Sequence, residues 1–401
     1  MRTGFLIAAL LCAACANASA LDLSDDLTIS GYGDLRAIAP GGDQTWLKGG
    51  LGKFRYGAAQ NIGGEAVLQA ELALDDGLSA VTLLRAEPED RAGLDALEGY
   101  LRYAPASDGD VNWSVKAGAF FPTISLENDD LGWASPYTLT PSAINSWIGE
   151  ELRTIGSEAT LRWQTGLGTL SLLGAATCCN DQAGTLMADH GWTMDDRPTG
   201  LFERVRIPDP LTGIFRAPVN GRTGLFSEMD GRVGWYGGAT WQMDGIGKLS
   251  VVRYDNDGDP FARSTRDTGW DTRFWSLGAR TGLGPLVLIA QALRGSTTVA
   301  GPTFVADTKF QSAFLLASYD LDDWRLSVRE DVFATRRAAN NPIWSEDGDA
   351  FTAAVSWSQY DWLRLTGEVI AMDSRRGEYV PAGLVLNRTD TQIQFDSRFF
   401  F

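Results

Sequence analysis

The sequence predicts an all-β fold: a transmembrane, antiparallel, up-and-down β-barrel of about sixteen strands, with short turns at one end and long loops at the other. Three observations predict it. Apolar and polar residues alternate with period two in segments of about ten residues, the length a tilted strand needs to cross a bilayer. Tight turns alternate with long connectors along the chain. Beyond Leu21 no stretch is apolar for the ~20 residues that a membrane helix requires. A closed barrel is then the one way for this backbone to satisfy its polar groups inside a membrane.

The first twenty residues read as a cleaved export signal. Met1-Arg2-Thr3-Gly4 is a short positive region, Phe5 to Ala14 is apolar, and Ala18-Ser19-Ala20 is a small-residue cleavage site. The apolar run is about half of what an anchoring helix needs, and neither Cys12 nor Cys15 follows the Leu-small-small pattern of a lipid anchor. The expected division is a signal peptide over 1–20 and one barrel domain over 21–401. Alternating segments fall near 27–37, 65–74, 78–86, 94–103, 111–121, 153–164 and 168–177, then near 231–242, 247–255, 271–282, 285–293, 308–319, 323–333, 348–359, 362–371 and 388–401. Residues 45–57 either extend the first strand or form a hairpin of their own. Turns such as Asp75-Asp76-Gly77, Gly166-Leu167-Gly168 and Tyr360-Asp361 separate these segments from connectors at 38–64, 87–93, 122–152, 178–230, 256–270, 294–307, 334–347 and 372–387.

Parity assigns the two faces of each strand. With Val111, Trp113, Val115 and Ala117 outward, Asn112, Ser114 and Lys116 turn inward. The same argument places Asp34, Arg36, Glu71, Glu98, Arg102, Glu158, Arg162, Arg325, Arg329, Asp331, Arg364, Glu368, Asp396 and Arg398 toward water in the lumen, since an outward Arg or Lys at mid-membrane costs about 2–4 kcal/mol. Trp113, Trp163, Trp235, Trp241, Trp324, Trp357 and Trp362 stand near strand ends or outward, as aromatic girdles do.

The last strand carries the clearest pattern. Thr391, Ile393, Phe395, Phe399 and Phe401 share one face, and Gln392, Gln394, Asp396 and Arg398 share the other. A final strand of alternating aromatics ending on Phe resembles the terminal signal of bacterial outer-membrane barrels. The resemblance implies that Phe395, Phe399 and Phe401 are read by the barrel-assembly machinery. It also implies residence in the outer membrane of a Gram-negative bacterium, against lipid and lipopolysaccharide.

The connector after the fifth segment, from Ser125 to Glu151, reads SLENDDLGWASPYTLTPSAINSWIGEE. Its rank is similar to that of the third long loop of general and substrate-selective porins, which folds into the barrel and narrows it. The resemblance implies a passive, water-filled channel for small hydrophilic solutes or ions, a homotrimer, no cofactor and no catalysis. It further implies a constriction with Glu127, Asp129 and Asp130 on its acidic side. Arg36, Arg102, Lys116, Arg162 and Arg398 are candidates for a basic wall opposite, because opposed charges across a narrow passage select solutes by charge and dipole. The family's Pro-Glu-Phe-Gly-Gly-Asp loop motif is absent. Trp133, Tyr137 and Trp147 stand here instead, either as a stacking track for sugar rings or as packing against the wall.

Other classes have weaker support. A formal charge of -17 argues against a nucleic-acid partner. An outer-membrane hydrolase usually wants a His as general base, and only His190 is on offer. A plugged receptor or adhesin would use the connector 178–230, with Arg197, Phe202, Arg204, Arg206 and Phe215. No metal site is expected, since one His and the adjacent Cys178 and Cys179 match no zinc spacing. The two cysteines stand open between thiols and a disulfide. Asp255-Asn256-Asp257-Gly258-Asp259 opens like a calcium loop, but Pro260 occupies the Gly position and Arg266 the Glu position, so a solvated loop is expected.

Overall fold

The computed structural model describes residues 21–401 except 25, 59, 89–92, 208–220, 339–344 and 378–384, so the expected export signal over 1–20 lies outside the described residues. Sixteen antiparallel strands close a barrel. In chain order they are β1 (Leu27–Ala39), β2 (Ala66–Asp75), β3 (Leu78–Ala86), β4 (Leu94–Tyr103), β5 (Val111–Phe120), β6 (Thr154–Thr165), β7 (Gly168–Cys178) and β8 (Gly234–Met243). There follow β9 (Gly247–Asp255), β10 (Asp271–Leu283), β11 (Leu286–Gly301), β12 (Phe304–Leu321), β13 (Trp324–Ala338), β14 (Glu346–Tyr360), β15 (Leu363–Arg376) and β16 (Asn387–Phe400). Each neighbour pair is antiparallel, and β1 closes on β16 with Tyr32 opposite Phe400 and Ala39 opposite Ile393. Closure removes every sheet edge, so the wall's backbone groups pair without water. Leu21–Ser24 and Ile62–Gly63 are short additions to β1. Among the described residues no helix is long and apolar enough to cross a membrane.

Each of the sixteen segments read from the sequence is a wall strand, because alternation tied each one to a face. Along β16 Thr391, Ile393 and Phe395 are exposed while Gln392, Gln394, Asp396 and Arg398 are buried. Along β13 Trp324, Leu326, Val328 and Val332 are exposed outward and Ser327, Arg329 and Asp331 are buried inward, with Glu330 the departure on the outer face. Trp113, Trp163, Trp241, Trp324 and Trp362 are exposed near the end that carries the tight turns, and Trp235 is exposed near the loop end. Gly247, with φ 151°, makes one such turn; a Cβ there would meet the Arg280 carbonyl at 2.2 Å.

Three expectations require correction. The connector at 294–307 is largely strand, and those at 334–347 and 372–387 begin and end as strand: β11 runs to Gly301 and pairs it with Phe304 across a turn at Pro302-Thr303, β13 runs to Ala338, and β15 runs to Arg376. Above the apolar band the outward positions become Arg294, Lys309, Arg336, Asp347, Asp349, Asp373 and Arg375, so alternation disappears although pairing continues. Residues 45–57 neither extend β1 nor form a hairpin. Trp46–Lys48 is a single 3-10 turn, and Trp46, Phe54 and Tyr56 are fully buried inside the barrel. The lumen wall is also not uniformly polar or wetted. Tyr236, Tyr254, Phe274, Phe310, Leu316 and Phe333 face inward and form a core with residues of the loops.

Candidate functional site: the loop-filled lumen

The third long loop, L3 (121–153), enters the barrel from the top of β5. Phe121 stacks on Trp133 with centroids 4.2 Å apart and planes 3° apart, and the Arg153 guanidinium lies 3.4 Å from the Phe121 centroid. Ser125 Oγ accepts the amides of Glu127 and Asn128 at 3.1 and 2.8 Å and turns the chain. Ser142 Oγ then accepts the Asn145 amide at 3.3 Å and caps α1 (Ala143–Glu151). All nine residues of α1 are buried, and the four polar ones have partners: Asn145 donates to Glu127, Ser146 to the Asp195 carbonyl, and Glu150 and Glu151 accept from Thr193 and Trp147.

Charge fixes this loop to the opposite wall. Glu127, fully buried, lies 2.7 Å from Arg329 and accepts Asn145 Nδ2 at 2.9 Å. Arg329 also reaches Asp331 at 2.7 Å and donates to the carbonyls of Thr140 and Pro141 at 2.8 and 3.0 Å. Asp331 accepts the Ala143 amide at 3.1 Å, and Glu368 accepts the Leu139 amide at 2.7 Å. A buried ion pair is tolerated only when its remaining donors and acceptors are satisfied, and here L3 backbone satisfies them.

The acidic tip of L3 reaches toward the turn end. Asp129 pairs with Arg280, and Asp130 lies 2.9 Å from Arg364. Tyr137 sits between two guanidiniums, with Arg280 at 5.6 Å and Arg325 at 5.4 Å from its ring. The cationic partners of Glu127, Asp129 and Asp130 are therefore Arg329, Arg280 and Arg364. Among the described residues, the five basic residues named from the sequence are not the ion-pair partners of these carboxylates. Arg36 and Arg398 share Asp34, Arg102 pairs with Glu71, Lys116 is 3.2 Å from Glu158, and Arg162 is exposed in the lumen. The lumenal carboxylates Asp34, Asp331, Glu368 and Asp396 and the cations Arg36, Arg329 and Arg398 are buried against loops rather than open to water, a correction that follows from the inward folding of those loops.

Of the named aromatics, Trp147 is fully buried against Trp192, Phe274 and Phe310 and donates to Glu151 at 2.7 Å, so it presents no face to a solute. Tyr137 is 3 % exposed, and Trp133 is half-buried on Phe121. At the last strand Phe395 is exposed outward, Phe399 stacks on Trp362 at 6.3 Å, and Phe401 exchanges two backbone hydrogen bonds of 3.0 Å with Gly31.

Sequence reasoning missed how far the first and fourth loops enter. L4 (179–233) crosses the lumen from the tops of β14 and β15 toward β1, with residues 180–195 nearly all buried and α2 (Thr185–Asp189) beside α1. Lys53 of L1 (40–65) pairs with Glu346 and donates to the carbonyls of His190 and Trp192 at 2.8 Å each. Asp196 is held by Arg36 and Arg55, and Arg197 by Glu87 and Glu203. Burial alone would raise the Asp196 carboxyl, but Arg36 and Arg55 outweigh it and hold that group well below the usual range. Glu151 accepts the amides of Leu186 and Met187 at 2.8 and 3.3 Å; burial nevertheless pushes its carboxyl up to about 7. The signal for this packing was present, since β8 to β15 carry aromatic and aliphatic residues at inward as well as outward positions.

His190 is 1 % exposed, tilted against Trp46 at 4.9 Å, with Nε2 3.8 Å from Glu150. Burial and the cations Lys53 and Arg376 lower its pKa well below the ordinary value. Cys178 and Cys179 form a vicinal disulfide. Phe202 is exposed, Arg204–Arg206 pairs with Arg222–Gly224, and Phe215 lies outside the described residues. In the acidic loop after β9, Asp255 and Asp259 cap the amides of Asp257 and Phe261, and Asn256 binds Thr272. Among the described residues Asp181, Glu228 and Asp230 bring carboxylate oxygens within 4.8 Å of one another, and those oxygens accept amides of Met229, Gly231 and Arg232.

A closed antiparallel barrel of sixteen strands is the fold of outer-membrane porins. The outer-membrane channel DcaP of Acinetobacter baumannii superposes with a TM-score of 0.55 at 11% identity, over 94% of this chain and 97% of that one. OmpF of Salmonella typhi, solved with daunomycin, gives 0.54 at 12% over 94% and 97%, and the anion-selective porin of Comamonas acidovorans 0.53 at 13% over 94% and 99%. No protein-family model and no curated sequence relative matches the chain.

Proposed function

We propose that the chain is an outer-membrane channel of a Gram-negative bacterium, exported by its first twenty residues, through which small hydrophilic solutes diffuse passively. On this reading the tight turns face the periplasm and the long loops face outward. The observation that carries it is the inward-folded L3, whose Asp129 and Asp130 stand beside Arg280, Arg325 and Arg364 across the lumen near the turn end. Such an eyelet sorts solutes by size and charge without chemistry. L1 and L4 narrow the passage further from the outside. His190, enclosed by Trp46 and Glu150, serves packing and not catalysis on this reading.

The apolar outer band would contact lipid and, above it, lipopolysaccharide, and Phe395, Phe399 and Phe401 would serve assembly. A homotrimer is part of the proposal, supported by the trimer form of Vibrio cholerae OmpT, which superposes at 0.50. Liposome swelling tests the channel: refolded protein is expected to admit small sugars and amino acids and to exclude larger oligosaccharides. Swelling rates equal to those of protein-free vesicles for every solute contradict it. The deep burial of L4 favours a second reading, a plugged barrel that serves as a receptor or adhesin, and removal of L4 separates the two.

A further inference from the structure

The carboxylate of Asp196 sits as a bound solute's carboxylate would. Its Oδ1 accepts from Arg55 Nη1 at 3.2 Å and its Oδ2 from Arg36 Nη1, so two guanidiniums on different elements each hold one oxygen. Both are anchored from behind. Arg36 Nη2 is 2.7 Å from Asp34, and Arg55 reaches Glu87 at 2.9 Å and Glu65 at 3.1 Å. Arg36, Arg55, Asp34, Glu65 and Glu87 are buried, Asp196 is partly buried, and the three anchoring carboxylates set the direction in which the two guanidiniums point. Arg197, the next residue, shares Glu87 with Arg55 and Arg85, so Glu87 keeps two partners when L4 is elsewhere. Below the pair, Arg36 Nε is 3.5 Å from Asp396, which with Arg398, Arg364 and Ser135 lines a cavity of 10 Å³, room for about one water. Polar groups thus continue from Asp196 toward the eyelet.

We propose that Arg36 and Arg55 form a binding site for the carboxylate of a small organic acid, and that L4 fills this site with its own Asp196 until such a solute displaces it. A guanidinium pair suits a carboxylate because the charge-assisted hydrogen bonds are directional. Exchange of one carboxylate for another preserves charge balance. Lifting Asp196 with nothing in its place takes one carboxylate out of the buried cluster, in which Arg36 keeps Asp34 and Arg55 keeps Glu65 and Glu87; an incoming carboxylate restores the lost charge-assisted hydrogen bonds and a neutral solute does not. A tethered carboxylate competes at an effective concentration of about millimolar or more, so the wild-type site answers only to abundant solute. The use of this site in transport rests on the channel reading above; the binding itself does not.

The test titrates succinate against refolded wild type and Asp196→Asn, reading both the melting temperature, which bound ligand raises, and the current in a planar bilayer. Asp196→Asn is expected to respond at succinate concentrations at least tenfold below those needed by wild type. Glucose should have no effect, and adding Arg55→Met should abolish the response. Equal succinate dependence in wild type and Asp196→Asn, or a response that survives Arg55→Met, overturns the site. Stabilisation without current under any condition keeps the site and removes the channel, whereas current without any succinate response does the reverse. Should Asp196→Asn not assemble, wild type against Arg55→Met at high succinate decides, and equal responses overturn the proposal.

Discussion

Replacing Arg329 by Met removes the cation on which L3 is seated. In the wild type this guanidinium holds Glu127 and Asp331 at 2.7 Å each, together with the Thr140 and Pro141 carbonyls, all buried. After the substitution two carboxylates that face L3 are left buried without it. Breaking one partner of a buried pair costs about 3–5 kcal/mol, which is a fall of roughly two to more than three powers of ten in the docked-to-undocked ratio of L3. The wall keeps its backbone ladder, so the loss should fall on the loop and not on the barrel. Hydrogen exchange followed by mass spectrometry should show faster exchange over 138–151 with β13 unchanged, and open-channel current should become larger and noisier. Adding Glu127→Gln should restore part of the protection, because one stranded charge is gone. Unchanged exchange over α1 in Arg329→Met refutes the anchoring role.

Other consequences follow from the same geometry. The Glu151 carboxyl is raised to about 7 in the folded chain, so the folded state binds its proton more tightly than the unfolded state does. Its stabilisation of the contact between α1 and α2 is present below about pH 4.5 and lost as pH rises through about 7, a change on the order of 3 kcal/mol. Conductance should therefore rise from pH 5 to pH 8, and Glu151→Gln should flatten that dependence; a Glu151→Gln profile identical to wild type counts against it. Asp129→Asn combined with Asp130→Asn leaves Arg280 and Arg364 without their loop partners, so the reversal potential in a salt gradient should move toward anions, and no movement removes the tip from selectivity. Deleting Phe401 removes the two hydrogen bonds to Gly31 and the terminal aromatic, and the yield of membrane-inserted barrel should drop; normal insertion in cells disproves the assembly role.

The wall was legible in the sequence because period two and a buried face leave little freedom in register. In β16 the alternation from Thr391 to Phe401 assigns both faces without reference to any other strand. The loop-end extensions of β11 to β15 were not legible, since outward residues such as Lys309 and Asp349 lie above the apolar band and read as loop. The acidic stretch of L3 could be singled out because Glu127, Asp129 and Asp130 are clustered in the chain, although Glu127 is fully buried against Arg329 and only Asp129 and Asp130 stand in the proposed eyelet. Its cationic partners could not, because Arg280, Arg329 and Arg364 come from three strands and only closure brings them to L3. The interior filling of L1 and L4 is a tertiary effect of the same kind. Phe274, Phe310 and Phe333 sit inward at positions where a bare aqueous wall would carry polar groups, and that excess of aromatics was the available sign.

The claim that a porin-fold channel is narrowed by three inward loops meets its most direct test in single-channel recording. The comparison is between wild type and a variant in which residues 180–199 are replaced by a short Gly-Ser link, both shown by heat-modifiable gel mobility to be closed barrels. The account predicts small discrete steps for wild type and steps several-fold larger for the variant, because L4 fills the lumen beside α1. Closed barrels that give no steps in either form would contradict the channel itself. Equal steps in both would contradict the role assigned to L4.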